Sequence, residues 1–248
     1  MIGIILAGGY GTRLYPLTKR IAKPLLEISD KPIIDYIMEK LVELDLEKIL
    51  VAVNMRFKDQ FLEWLENRDY LGVELRVEPS RDEGEKLGAI RGLSRLLDEV
   101  KDDCVIVAGD NLFTSSLIGF KEFYLEKRAP VVGLHDIGDL DKVRSLSMAE
   151  VDQEGRITRF IEKPEKPTST LVGIGVYMLP ERSFKRINEY LEEGNNPDSP
   201  GFFIQWLCSR EPVYGYILEG HWWDIGTPEA YYEAKRFLEG ARNLSKPL

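Results

Sequence analysis

The sequence predicts an α/β protein in which a mostly parallel, mixed sheet is sandwiched by helices. Three observations carry this reading. From residue 1 to about 134, short runs rich in β-branched residues alternate with stretches of helical period, the pattern of successive βα units. Those runs are apolar throughout rather than alternating, as strands covered on both faces must be. Beyond about residue 140, strand follows strand through the hairpin-like turn Asp152-Gln153-Glu154-Gly155, so antiparallel strands join the sheet there.

Each element has its own signal. Residues 1–6 read as a buried strand running into Ala7-Gly8-Gly9. Ser29 or Asp30 is placed to cap the next helix, with Pro32 in its first turn and Ile33, Ile34, Ile37, Met38, Leu41 and Leu44 at helical spacing. Residues 48–53 read as a strand, 56–68 as a helix carrying Phe57, Phe61, Leu62 and Leu65, and 73–77 as a strand. Leu87, Ile90, Leu93, Leu96 and Leu97 mark a helix, followed by strand 104–108, helix 117–127 and strand 130–134. In the second part, 147–151 and 156–162 pair as a hairpin and 172–179 is a further strand. An amphipathic helix at 180–193, a loop at 195–201 and a short helix at 202–209 follow, then strand 213–218 and a last helix at 228–239. No linker or repeat interrupts the chain, so residues 1–248 are expected to form one domain, with functional halves at about 1–140 and about 141–240.

Composition removes several function classes. Forty-two Asp and Glu against 33 Lys and Arg give a net charge of −9, so nucleic acid is not an expected partner, because neutralising phosphates needs clustered cations. A polyanionic ligand must instead be held by a local positive site. The longest apolar runs, 2–7 and 104–108, fall far short of the roughly 20 residues that span a bilayer, so no membrane partner is expected. The first residues lack the basic and long apolar regions of a secretory signal, and with only two cysteines the expected location is a reducing cytoplasm. Cys104, Cys208, His135 and His221 are too scattered to build a zinc site by themselves.

The chemistry-bearing residues cluster at strand ends, where open α/β sheets bind ligands. Gly8, Gly9 and Gly11 follow the first strand and precede Thr12 and Arg13. The loop is neither a Walker loop nor G-x-G-x-x-G, since Leu14 stands at the third glycine, yet its amides and the Arg13 fork suit a phosphate as well as an ordinary βα turn. Lys23 precedes Pro24, which should hold it in extended backbone. Asp110 could ligate a cation or cap a helix, whereas Thr227-Pro228 already caps the helix after Asp224. Lys163 reads as a ligand or a solvated lysine. Trp222, Trp223, His221 and Cys104 read mainly as packing.

Four ordered motifs carry a resemblance. Leu6-Ala7-Gly8-Gly9-Tyr10-Gly11-Thr12-Arg13-Leu14 with Lys23-Pro24-Leu25-Leu26, then Gly109-Asp110-Asn111, Glu162-Lys163-Pro164 and Trp223-Asp224-Ile225-Gly226-Thr227-Pro228, resemble the sugar-1-phosphate nucleotidyltransferases. Gly-Asp-Asn points towards the glucose-1-phosphate thymidylyltransferase branch. The resemblance implies a Rossmann-like fold and attack of a sugar-1-phosphate on the α-phosphorus of a nucleoside triphosphate, with glucose-1-phosphate and dTTP expected over UTP or GTP. It implies Mg²⁺ held by Asp110 and Asp224, with Arg13 and Lys23 completing the catalytic set. Leu6, Ala7, Gly8, Gly9, Gly11, Thr12, Arg13, Lys23 and Asp110 would bind the nucleotide; Asn111, Ser147, Glu162, Lys163 and Gly175 would bind the sugar phosphate. It also implies a homo-oligomer.

Departures from the family pattern matter too. Glu78 before Pro79 stands at the base-reading glutamine, Gly84 and Gly88 compete for the base-contacting glycine, and Ser147 replaces a sugar-contacting glycine. The chain is shorter than typical thymidylyltransferases, so the C-terminal helices that carry their regulatory nucleotide site are not expected. A non-catalytic nucleotide-sugar-binding regulator of the same fold is the alternative, although no motif Arg, Lys or Asp is lost. A glycosyltransferase is disfavoured, since Gly109-Asp110-Asn111-Leu112 holds no D-x-D.

Overall fold

The computed structural model describes residues 1–244, with side chains to residue 240; the last four residues of the expected domain, 245–248, lie outside the described ones. At the centre is β1 (Ile2–Leu6), parallel to β4 (Lys48–Asn54) on one side and β6 (Cys104–Ala108) on the other; β5 (Val73–Glu78) continues the parallel set beyond β4. Ile4, Leu50 and Ile106 point to one face of this set and Ile5, Val51 and Val107 to the other, so each face seeds its own core.

Helices α1 (Ile33–Val42), α2 (Lys58–Glu66) and α4 (Ile118–Lys127) cover the Ile5 face, while α3 (Ala89–Leu97), α6 (Phe184–Glu192) and α7 (Pro200–Leu207) cover the Ile4 face. On α3, Ile90, Leu93, Leu96 and Leu97 are buried together, each contributing about 1.5–3 kcal/mol by leaving water. A four-residue α5 (Leu140–Val143), capped by the Asp139 carboxylate, leads into the second part, and α8 (Pro228–Leu244) closes the chain. None of the helices among the described residues is long and apolar enough to cross a membrane.

The antiparallel part is organised by β11 (Leu171–Leu179). Its first half pairs with β9 (Ser147–Val151), which forms the hairpin with β10 (Ile157–Glu162); its second half pairs with β6; and β8 (Val131–Asp136) runs along its length, itself paired in parallel with β12 (Tyr214–Ile217). The register breaks between Gly173 and Tyr177, where Gly175 adopts φ 69°. Only glycine takes that conformation readily, and it lets one strand leave β9 and join β6. The resulting sheet is mixed, as expected, with parallel pairing concentrated in the first part.

Local differences have plain causes. Ser29 and Asp30 cap no helix: they form the turn of a small hairpin, β2 (Glu27–Ile28) with β3 (Lys31–Pro32), Ser29 at φ 64°, and α1 starts only at Ile33. Lys23 is not extended but opens a 3-10 turn over Lys23–Leu25, which Pro24 tolerates because the first turn asks no N–H of it. The sequence gives no sign of β7 (Asn111–Phe113) and β13 (Trp222–Asp224), which pair antiparallel. Three residues are too few to display a period.

Candidate active site

Connections run from β1 outward to β4 and β5, then cross back to β6 on the other side of β1. The switch point between β1 and β6 opens a crevice at the strands' C-terminal ends, the position this topology reserves for ligands. A cleft of about 830 Å³ runs from there. Of the expected site residues, all but Gly84 line it. Gly84 sits on an exposed 3-10 turn, Glu83–Glu85, held by the Asp82 carboxylate 2.8 Å from its amide. Gly88, by contrast, lines the cleft.

The glycine loop is anchored from below. Ala7 donates its N–H to the Ala52 carbonyl at 2.8 Å, and buried Asn54 donates to the Gly8 carbonyl at 3.0 Å. Gly11 needs its φ of 61°, and Thr18 ties its carbonyl at 2.6 Å. Gly9, by contrast, has open space where a side chain would stand, so nothing within the fold demands glycine there.

Beside the loop, Lys23 Nζ lies 2.7 Å from Asp110 Oδ2. The small β7–β13 ribbon sets Asp224 opposite Asn111 and thus next to Asp110, and Ile225 N–H donates to the Asp110 carbonyl at 3.1 Å. Asp110 caps no helix, since β7 follows it, and Thr227 accepts from Ala230 N–H at 3.3 Å as the cap of α8, leaving Asp224 uncommitted. Burial opposes ionisation of Asp110, but Lys23 and Arg13 outweigh it and hold its carboxyl below the usual range. Asp224 goes the other way: burial, then the charge of Asp110, push it up against the pull of Lys23 and Arg13. Asp110 and Asp224 are thus the two adjacent carboxylates of this cleft that could hold a cation. No group of three or more His, Cys, Asp or Glu side chains joins them among the described residues, so a metal here would draw its other ligands from substrate and water.

Across the cleft, the end of β10 supplies Glu162 and Lys163. Glu162 is buried and accepts hydrogen bonds from Ser147 and, at 2.9 Å, from Ser199, while its N–H donates to Gln205 Oε1 at 2.9 Å. Lys163 is exposed at φ 50°, pinned by its N–H to the Leu146 carbonyl at 2.8 Å. Buried Asn111 bridges the two sides, donating to the Ile174 carbonyl and accepting from Trp222 Nε1 at 3.1 Å. At the opposite end, Glu78 Oε1 accepts the Leu87 N–H at 2.9 Å, and Oε2 faces the gap between Gly8 and Gly92.

Sequence reasoning missed Ser199, Gln205 and Tyr177. Tyr177 lines the cleft on β11, and burial, together with the charges of Glu162 and Asp110, pushes its phenol up. Only Ser199 before Pro200 carried a readable signal, and that signal is for a helix cap. Neither histidine lines the cleft, although the His135 ring packs against Trp222, which does. His221 stacks on Trp223 and lies tilted against Phe237, and His135 Nδ1 hydrogen-bonds the Leu218 carbonyl at 3.0 Å.

Known proteins are similar to this chain in sequence and in fold. The chain is 30% identical over 240 residues, 96% of its length and 97% of the relative's, to UTP--glucose-1-phosphate uridylyltransferase AglF of Haloferax volcanii. It is 29% identical to the bifunctional protein GlmU of Methanocaldococcus jannaschii, covering 96% of this chain and 54% of that one. A Bacillus anthracis structure assigned as a glucose-1-phosphate thymidylyltransferase superimposes with TM-score 0.85 at 25% identity, covering 96% of this chain and 95% of the other. A UDP-glucose pyrophosphorylase structure has the same fold, with TM-score 0.82 at 22% identity over 97% and 98% of the two chains. The Nucleotidyl transferase family model matches residues 2–240, and the chain belongs to that family, among the sugar-1-phosphate nucleotidyltransferases.

Proposed function

We propose that this protein condenses glucose-1-phosphate with dTTP, releasing pyrophosphate and a nucleoside-diphosphate sugar. The observation that carries the reading is the facing of two cationic groups across one cleft: Arg13 and Lys23 at the glycine loop, Lys163 at the end of β10. Two polyanions must meet there without repelling each other, and only fixed positive charge on both sides allows it. Residues 1–248 act as one domain in this reading, the glycine-loop half taking the nucleotide and the Glu162 half the sugar phosphate.

The sugar phosphate brings its own nucleophile. Its second pKa is near 6, so at neutral pH a dianionic oxygen attacks the α-phosphorus and pyrophosphate departs in line, with no general base from the chain. Arg13 and Lys23 stabilise charge developing on the α-phosphoryl oxygens; Lys163 fixes the sugar phosphate; Glu162 accepts from sugar hydroxyls. The paired carboxylates of Asp110 and Asp224 fit Mg²⁺, which when bound supplies charge neutralisation and orientation of the phosphates. Glu78 is an acceptor-only group with Oε1 already engaged, so Oε2 suits a base that offers an N–H, such as N3–H of thymine.

UTP is the second reading, favoured by the 30% identity to a uridylyltransferase over nearly the whole chain. Uracil presents the same N3–H. Pyrophosphate release measured over a matrix of triphosphates and sugar-1-phosphates decides: fastest turnover with dTTP and glucose-1-phosphate supports the proposal, UTP in first place supports the second reading, and no release with any pair rejects both.

A further inference from the structure

Two segments from opposite sides of the cleft meet over its rim. From the base side come Lys86, Leu87 and Gly88; from the other side comes the segment 197–199 that leads into α7. Ile90 N–H donates to the Pro197 carbonyl at 2.8 Å, and Lys86 Nζ lies 2.8 Å from Asp198 Oδ2. Gly88, at φ 88°, presses against the same carbonyl so closely that a Cβ would stand 2.6 Å from its oxygen. One residue further on, Ser199 donates its hydroxyl to Glu162 Oε1 at 2.9 Å.

Ser199 occupies the N-cap position of α7 yet makes no side-chain capping bond. A serine there normally stabilises its helix by accepting from the first-turn amides. Here the hydroxyl is committed to Glu162 instead. A continuous path therefore runs from Glu78 through the Leu87 amide, Gly88, Pro197 and Ser199 to the carboxylate on the sugar side.

We infer that Ser199 is a positioning residue for Glu162, and that segment 197–199 makes the set of that carboxylate depend on the base-side loop. The inference rests on the assignment of the two halves given above. Its links differ in strength. Lys86 and Asp198 are both exposed, so their ion pair changes an equilibrium only about 2–4-fold. The Ser199 bond to a buried carboxylate is charge-assisted, and losing it should cost roughly tenfold or more.

Steady-state kinetics with glucose-1-phosphate and dTTP or UTP, whichever the wild type uses faster, test this. Ser199→Ala should raise KM for glucose-1-phosphate roughly tenfold and leave KM for the triphosphate within about twofold, while Ser199→Thr, which keeps the hydroxyl, should restore most of the loss. Lys86→Met and Asp198→Asn should each raise KM for glucose-1-phosphate about 2–4-fold, and that effect should vanish in the Ser199→Ala background. Should Ser199→Ala unfold, the two exposed substitutions still decide: an unchanged KM for glucose-1-phosphate in both Lys86→Met and Asp198→Asn overturns the coupling. An unchanged KM for glucose-1-phosphate in Ser199→Ala, or an equal Lys86→Met effect with and without the Ser199 hydroxyl, overturns the inference. Glu162→Gln separates the two levels. If it leaves that KM unchanged, the sugar-side assignment fails; if it raises KM while Ser199→Ala is silent, only the positioning role fails.

Discussion

Asp224→Asn should make the protein more stable and nearly inactive at once. The substitution keeps the shape of the side chain and removes its charge. In the folded protein, burial and the neighbouring charge of Asp110 push the Asp224 carboxyl up, outweighing the pull of Lys23 and Arg13. An acid whose folded pKa is raised binds its proton more tightly folded than unfolded, so ionising it at neutral pH costs stability, about 1.4 kcal/mol for each unit of elevation. The asparagine variant avoids that cost. In a chain of 248 residues each 1 kcal/mol moves Tm by about 2–4 °C, so calorimetry in chelator at pH 7 should find the variant melting above the wild type. As pH falls through the raised pKa of Asp224, the wild-type group becomes neutral as well and the gap should close. Meanwhile kcat should fall by roughly 100-fold or more, the scale of losing one group that stabilises transition-state charge. A variant that is less stable at pH 7, or that keeps near wild-type kcat with Mg²⁺, would contradict the placement of Asp224 in a carboxylate pair built for a cation.

Three further outcomes are expected. Glu78→Gln keeps an acceptor for the Leu87 amide and turns a donor towards the base, so selectivity among dTTP, UTP and GTP should shift roughly tenfold; an unchanged profile would place Glu78 away from the base. Lys163→Ala should raise KM for glucose-1-phosphate and spare the triphosphate, whereas Arg13→Ala should depress kcat, and exchanged phenotypes would reverse the division of the cleft. Gly201→Ala would press a Cβ onto Glu162 Oε2 and Ser147 Oγ, overpacking worth about 1–3 kcal/mol. It should lower Tm and raise KM for glucose-1-phosphate together, and movement of neither would show that Glu162 is free to retreat.

What was legible in the sequence follows from what is local. The apolar run of β1, the glycines behind it and Asp110 behind β6 are read from contiguous residues, and these already locate the switch point. Glu162 and Lys163 are legible because a strand ends at a short motif. The ribbon that brings Asp224 beside Asp110 is not, since its two three-residue strands lie more than 100 positions apart and carry no period of their own. Likewise Gly84 and Gly88 look alike in sequence. What separates them is that Gly88 lines the cleft while Gly84 sits on an exposed turn, a tertiary fact. Ser199 is the most instructive case, because its position before Pro200 spells a helix cap while its hydroxyl serves Glu162.

Following the phosphorus atoms tests the proposed reaction at its core. Wild-type protein should be incubated with Mg²⁺, glucose-1-phosphate and dTTP or UTP labelled either at the α- or at the γ-phosphate, and the products separated. Nucleotidyl transfer in this cleft requires α-label in the nucleotide sugar and γ-label in pyrophosphate, both abolished by Asp110→Asn. Appearance of γ-label in the sugar product, or release of γ-label as orthophosphate, would mean that the cleft attacks a different phosphorus and that Arg13, Lys23 and the two aspartates serve another reaction.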